Sequence, residues 1–326
     1  AATLLGPSEH SRVLSAADSI EQLRRDCADG KLGRLHRITD FLREVATALR
    51  ELGSARRDLA RVAHARILFV AIRIAKGLTE SEREHLLEQW ERVTFRIFGM
   101  CRKDARTGRG SYTQLACKIY HARGATADAA PAAPLSAAEI SRRIRDLAGS
   151  DHSIENATRT MRAQDWYDRE SYLRYLLYRY EEHLAGKGIS RDTWRLIWRD
   201  SASRTIEHVF PQDPEEGWSP RMDSEAAKKL ASRLGNLAIL PQTVNSAASN
   251  RAFEKKKEIY KKNGALGLQH ISDIWNEERW GPEEIAKREE ILVAFATARW
   301  ADLPAEPAGT RAIARPPWLS AGPFRN

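Results

Sequence analysis

Glu207 and His208 are neighbours, with Pro211 three residues on. Gly235, Asn236 and Leu237 follow some way downstream, Asn245 lies nine residues after Asn236, and Asn250 five beyond that. A stretch carrying Lys255, Lys256, Lys257, Lys261 and Lys262 comes next. Hydrolysis of a phosphodiester is one chemistry such a set could perform. It needs a base to take a proton from water, and imidazole has a suitable neutral form near pH 7. It also needs a hard divalent cation to offset charge on the phosphoryl oxygens and the leaving oxygen. Mg²⁺ takes few protein ligands, commonly a carboxylate and a neutral oxygen, with water and phosphate completing its shell. Taken singly the residues have plainer readings: an Asn at a helix start as a cap, Gly-Asn as a turn, a lysine run as a solvated face. Their order and spacing together make the case.

Two short strands and a helix must position these groups. Arg204 to Val209 is β-tending and stopped by Pro211, and Asn236 to Leu240 is a second apolar strand stopped by Pro241. A charged helix is expected from about Ser249 to Lys262, closed by Asn263-Gly264. On a regular strand Glu207 and His208 project to opposite faces, but at a frayed end beside a proline both can flank one cavity. An Asn at the mouth of the facing helix can add a neutral oxygen, and the positive helix end favours a nearby phosphate.

The rest of the chain reads as helical. Apolar residues recur at three- and four-residue spacing over Ala17–Cys27, Asp40–Leu52, Ala55–Ala75 and Ser81–Phe98, a pattern that predicts a bundle. Thr79 with Glu80 and Glu82 signals the start of the last of these. Gly124 to Ala138 is small and Pro-interrupted, so a boundary falls there. Further helices are expected over Ser136–Leu147, Trp166–Leu184, Asp192–Arg199 and Pro282–Trp300. The aromatic stripe of the second reads as core, and a loose Pro-, Ala- and Gly-rich tail follows Leu303. The fold class is therefore mainly α: a helical connector over 1–124, a linker over 125–138, a helix-rich unit over 139–303 holding a ββα core at about 203–263, and a tail over 304–326.

With 326 residues the chain is longer than one typical core requires, and its +9 formal charge sits mostly in the first 150 residues. A basic excess draws polyanions. No run approaches the roughly 18–20 apolar residues of a membrane span. Cys27, Cys101 and Cys117 form no Cys-x-x-Cys pair, which suits free thiols in a reducing cytoplasm.

The runs TIEHVFPQ (205–212), LGNLAILPQTVN (234–245) and SNRAFEKKKEIY (249–260), with the YLRYLL helix upstream and Trp280, Ile285, Arg288, Leu292 and Trp300 downstream, carry a resemblance. This stretch, roughly 166 to 300, resembles the HNH nuclease domain of GmrSD-like, modification-dependent restriction enzymes, within the His-metal finger (ββα-metal) nucleases. The resemblance implies that His208 is the general base and that Glu207, where the wider group often has Asp, binds or orients Mg²⁺ or Mn²⁺. It gives Asn236 the task of holding the loop and orienting the histidine, and puts Asn245 at the metal-ligand place, with Asn250 as its substitute or support. Lys256 and Lys257 would contact backbone phosphates.

The same resemblance implies a DNA endonuclease of a restriction or anti-phage system, cutting one strand per site and leaving 5′-phosphate and 3′-hydroxyl. A non-catalytic nucleic-acid-binding module and an RNA-cleaving nuclease stay open beside it, and a homo-oligomer is allowed for. Relatives of this kind usually carry an N-terminal nucleotide-hydrolysing sensor. The chain begins Ala1-Ala2-Thr3 and shows no Walker-type loop, so the expectation is a C-terminal effector portion. Phosphorothioate-sensing members are attractive relatives, although no residue identifies the modification read.

Overall fold

The computed structural model describes residues 32–56, 59–121, 135–163, 165–185, 191–215, 218, 224–263 and 267–303, with single positions at 21 and 24. All but two residues of the expected first helix (Ala17–Cys27), most of the linker, Gly264 and the tail fall outside the described residues. Among those described there are fourteen α-helices and one pair of antiparallel strands.

The N-terminal part is a helical bundle. Its members are α1 (Leu32–Ala55), α2 (Ala63–Arg73), α3 (Glu80–Phe95) and α4 (Arg109–His121). The helix expected over Ala55–Ala75 is broken: a 3₁₀ turn at Leu59–Arg61 precedes α2, whose N-cap Val62 is extended. α3 begins with a reciprocal capping box, Thr79 accepting from the Glu82 backbone N–H while the Glu82 carboxylate accepts from Thr79 N–H at 2.7 Å. It then widens into a π-helical turn over Arg96–Met100, closed by the Cys101 N–H donating to the Arg96 carbonyl at 2.9 Å. α4 is not among the helices expected from the sequence, although Tyr112, Leu115, Ala116, Ile119 and Tyr120 make a buried stripe along it.

Beyond the bundle come α5 (Ala137–Asp146), α6 (Ile154–Ala163), a 3₁₀ turn at Tyr167–Arg169, α7 (Glu170–Ala185), α8 (Arg191–Arg199) and the single-turn α9 (Ala202–Thr205). The chain then enters β1 (Ile206–His208). After α10 (Ser224–Ala231) a 3₁₀ turn at Leu234–Asn236 leads into β2 (Leu237–Ile239), followed by α11 (Gln242–Ala248), α12 (Phe253–Lys262), α13 (Gln269–Trp275) and α14 (Pro282–Trp300). The strands pair with Ile206 opposite Ile239, Glu207 opposite Ala238 and His208 opposite Leu237. The helix expected from about Ser249 starts only at Phe253 (α12); an unexpected helix, α11, precedes it and ends at Ala248, and Ser249 turns the chain between them at φ +45°.

Two packing features fix this layout. The 3₁₀ turn that leads into β2 is seated on α14 with almost no room, since a Cβ on Gly235 would stand 1.9 Å from the Ile285 carbonyl oxygen. Arg288, reaching from the same helix, donates to the Gly235 and Leu237 carbonyls, both at 2.8 Å. The second feature joins the bundle to α7 and α14. Glu91 of α3 is fully buried and accepts from Arg56 (3.1 Å), Arg179 of α7 (3.3 Å) and Arg299 of α14 (2.7 Å). Burial alone would raise its pKa, but the three guanidiniums outweigh it and hold the carboxyl well below the usual range. Phe95 stacks on Trp300 beside this cluster, centroids 4.0 Å apart. Asp302 reaches back to Arg96 (2.9 Å) and Gln89 (3.0 Å).

Candidate active site

β1 carries both members of the Glu207–His208 pair, and strand alternation sends them to different surroundings. Glu207 is buried. Its Oε1 accepts from the Lys256 ammonium at 2.7 Å and from the Tyr260 hydroxyl at 2.6 Å. Burial lifts the Glu207 carboxyl above its usual range despite those donors, and lowers the Lys256 ammonium below its own. Lys256 also donates to the His208 carbonyl at 2.6 Å. This is a correction to the expected phosphate contact: Lys256 is fully buried and fixes the end of β1. Lys257 is turned inward too, donating to the Glu277 carbonyl at 2.9 Å with its ammonium 5.4 Å from the Phe253 ring.

His208 lies at the wall of a cavity of about 260 Å³. Its ring packs against Tyr167, centroids 4.4 Å apart and planes tilted by 60°. Nε2 is buried and has no hydrogen-bond partner among the described residues. Burial, helped by the Lys256 charge, pulls its pKa down to about 4, which keeps the imidazole neutral near pH 7. Tyr167 is placed by the 3₁₀ turn before α7, where the Asp165 carboxylate accepts from the Tyr167 N–H at 2.8 Å. No motif in the sequence singles it out.

Asn245 and Asn250 line the same cavity as His208 and Glu207. Asn245 sits in α11, and its amide Nδ2 donates to the carbonyls of Arg204 and Ile206, each at 3.0 Å. Both amide protons are thereby engaged, so Oδ1 is the polar atom it can offer a ligand. The Asn250 backbone carbonyl accepts from the Glu215 N–H (3.4 Å) and the Trp218 indole (3.5 Å), which ties the loop after β1 to the α11–α12 turn. Ser203, Arg204, Gln212, Gln242, Ser246 and Ser249 complete the polar lining.

Asn236 is fully buried and is not among the residues that line the cavity. Its Oδ1 accepts from the Phe210 N–H (2.7 Å) and the Trp280 indole (3.0 Å), while Nδ2 donates to the Phe210 (2.7 Å) and Ala231 (2.9 Å) carbonyls. Two of these four bonds go to Phe210, and so fasten the chain two residues after His208. A second imidazole–carboxylate pair braces β2 from behind. The Ile239 N–H donates to His270 Nε2 at 3.2 Å, so the proton sits on Nδ1, which donates to Glu181 at 2.6 Å. Both side chains of that pair are wholly buried.

Residues 149–295 match the family model described as GmrSD restriction endonucleases, C-terminal domain, and this stretch of the chain is a domain of that family. It contains β1, β2, the cavity and every residue named around it. The membership implies a nuclease of a restriction system. No curated protein and no solved structure matches the chain. No helix among the described residues is long and apolar enough to cross a membrane.

Proposed function

We infer that this chain is a metal-dependent DNA endonuclease of the HNH type, with β1, β2 and the helices after them forming its ββα unit. The observation that carries this reading is the shared cavity: a neutral imidazole, its buried Nε2 without a partner among the described residues, lines the same space as an asparagine whose amide protons are pinned to the backbone. His208 takes the proton from the attacking water. Asn236 holds the chain after His208, Tyr167 fixes the ring, and Asn245 presents Oδ1. Asn250 keeps the facing loop in place.

The donor set suits a hydrated Mg²⁺ or Mn²⁺. A hard cation takes oxygen ligands and retains water, and the oxygens on offer are Asn245 Oδ1 and the Glu207 carboxylate oxygen not engaged by Lys256 and Tyr260. When bound, such an ion supplies charge stabilisation on the phosphoryl group and on the departing 3′ oxygen. The P–O bond to water forms as the P–O3′ bond breaks, leaving 5′-phosphate and 3′-hydroxyl. A nucleotide-hydrolysing sensor on a separate module would direct the cut to its target. Incubation with supercoiled plasmid tests the reading: Mg²⁺ or Mn²⁺ is expected to give nicked circles, and EDTA or His208→Ala to abolish them. Nicking by His208→Ala at the parent rate would overturn it, and parallel digestion of RNA would show whether the sugar matters.

A further inference from the structure

The two lysines expected at phosphates are turned into the protein, so a polyanion at this cavity must be met by another cation. Arg204 is the one Lys or Arg among the described residues that line it. It is solvent-exposed, and no ion pair to a described residue draws its guanidinium away. Its backbone, by contrast, is held: the Arg204 carbonyl accepts from Asn245 Nδ2 at 3.0 Å, and its N–H donates to the Ser201 carbonyl at 3.2 Å. One asparagine thus sets both the root of the arginine and the oxygen offered to a cation.

The charge balance of the cavity points the same way. Glu207 is the only acid among the described residues of the lining, and its charge is met inside the protein by Lys256. The remaining polar lining is mostly hydroxyl and carboxamide. The field in the cavity is therefore set by Arg204, and its planar fork suits two oxygens of one phosphate. Ser246 and Ser249 stand in the same lining. Ser249 holds φ +45°, in the region that glycine favours.

We propose that Arg204 is the phosphate-binding residue of this site, gripping the nucleic-acid backbone beside the scissile bond. This rests on the endonuclease reading in supposing a nucleic-acid ligand. The test is binding, without cutting, of a fluorescent DNA duplex to full-length His208→Ala protein across a salt series from about 50 to 200 mM. Adding Arg204→Gln is expected to raise Kd roughly tenfold and to flatten the log Kd against log salt slope by about 0.9, the share of one duplex phosphate contact. Arg204→Lys should recover the slope but only part of the affinity, because an ammonium carries the charge without the fork. Thermal unfolding of Arg204→Gln should match the parent, since the side chain is exposed. Unchanged affinity and slope in Arg204→Gln overturn the proposal, as does a parent that binds no duplex. Plasmid nicking is scored separately, so a protein that binds through Arg204 but never cuts would defeat the catalytic reading alone.

Discussion

The Lys256 ammonium lies 2.7 Å from Glu207 Oε1 and 2.6 Å from the carbonyl of His208, so one buried cation ties the two neighbouring residues of β1 to α12. An ion pair closed off from water is costly to break on one side only, because the surviving charge keeps its desolvation cost and loses its partner. Lys256→Met is expected to lower stability by about 3–5 kcal/mol in urea unfolding. Adding Glu207→Gln should recover part of that loss, and a double-mutant cycle measures the coupling. An additive cycle would show that the pair contributes nothing as a pair.

Asn236 is buried outside the cavity and fastens the backbone at Phe210, two residues after His208. Asn236→Ala leaves the Phe210 N–H and the Trp280 indole buried without acceptors, each worth about 1–3 kcal/mol. We expect a lower urea midpoint together with a fall in nicking rate at saturating DNA. Affinity for the duplex should barely move, since the residue touches no ligand. A variant as fast as the parent would separate the Phe210 loop from the action of His208.

Tyr167 meets His208 through its ring, 4.4 Å between centroids, and its hydroxyl has no partner among the described residues. Tyr167→Phe is therefore expected to nick at close to the parent rate, and Tyr167→Ala to slow nicking at least tenfold with duplex affinity retained. Equal loss in both variants would instead place the hydroxyl in the reaction.

The three-arginine cluster sets the acid side of the stability curve. Glu91 binds its proton less readily in the folded chain than in the unfolded one, so between those two pKa values the unfolded state holds more protons and stability falls as pH falls. The contribution is complete above about pH 4.5 and drains away below it. Urea midpoints measured from pH 6 to pH 3 should drop on the acid side, and Glu91→Gln should start lower and flatten that drop.

Gly235 allows a sharper test of packing. Backbone atoms, not a movable side chain, occupy the place of its missing Cβ. Gly235→Ala is expected to destabilise by more than the roughly 1–3 kcal/mol of ordinary overpacking, visible as loss of soluble protein or a large drop in melting temperature.

Much of this is legible in local pattern. The Thr79–Glu82 capping box, the strands ended by Pro211 and Pro241, and the aromatic helix ending in the core are readable because cap, proline and periodicity act within a few residues. The convergence of Glu207, His208, Asn245 and Asn250 on one cavity agrees with their order along the chain. The lysines mislead because a charge run looks solvated when viewed as composition. Yet Phe253, Lys256 and Tyr260 fall at i, i+3 and i+7, the spacing of a buried stripe, and that signal puts Lys256 inside. Ser249 reads as part of one helix because nothing in its own type announces a left-handed residue. Glu91 meeting Arg179 and Arg299 joins positions 88 and 208 residues apart, and no local rule reports such a meeting.

The knot around Glu91 bears on how the protein can be taken apart. Two of its arginines follow residue 149 and two of its members precede it, and Trp300 and Asp302, past the last residue of the family match, are also fastened to α3 and the turn that extends it. Scissors applied at the family's own borders would strand a buried glutamate on one fragment and unmatched guanidiniums on the other. The helical bundle is thus a scaffold on which the family-matched part leans, and a minimal folded unit should be sought by trimming loops, not by amputating the bundle.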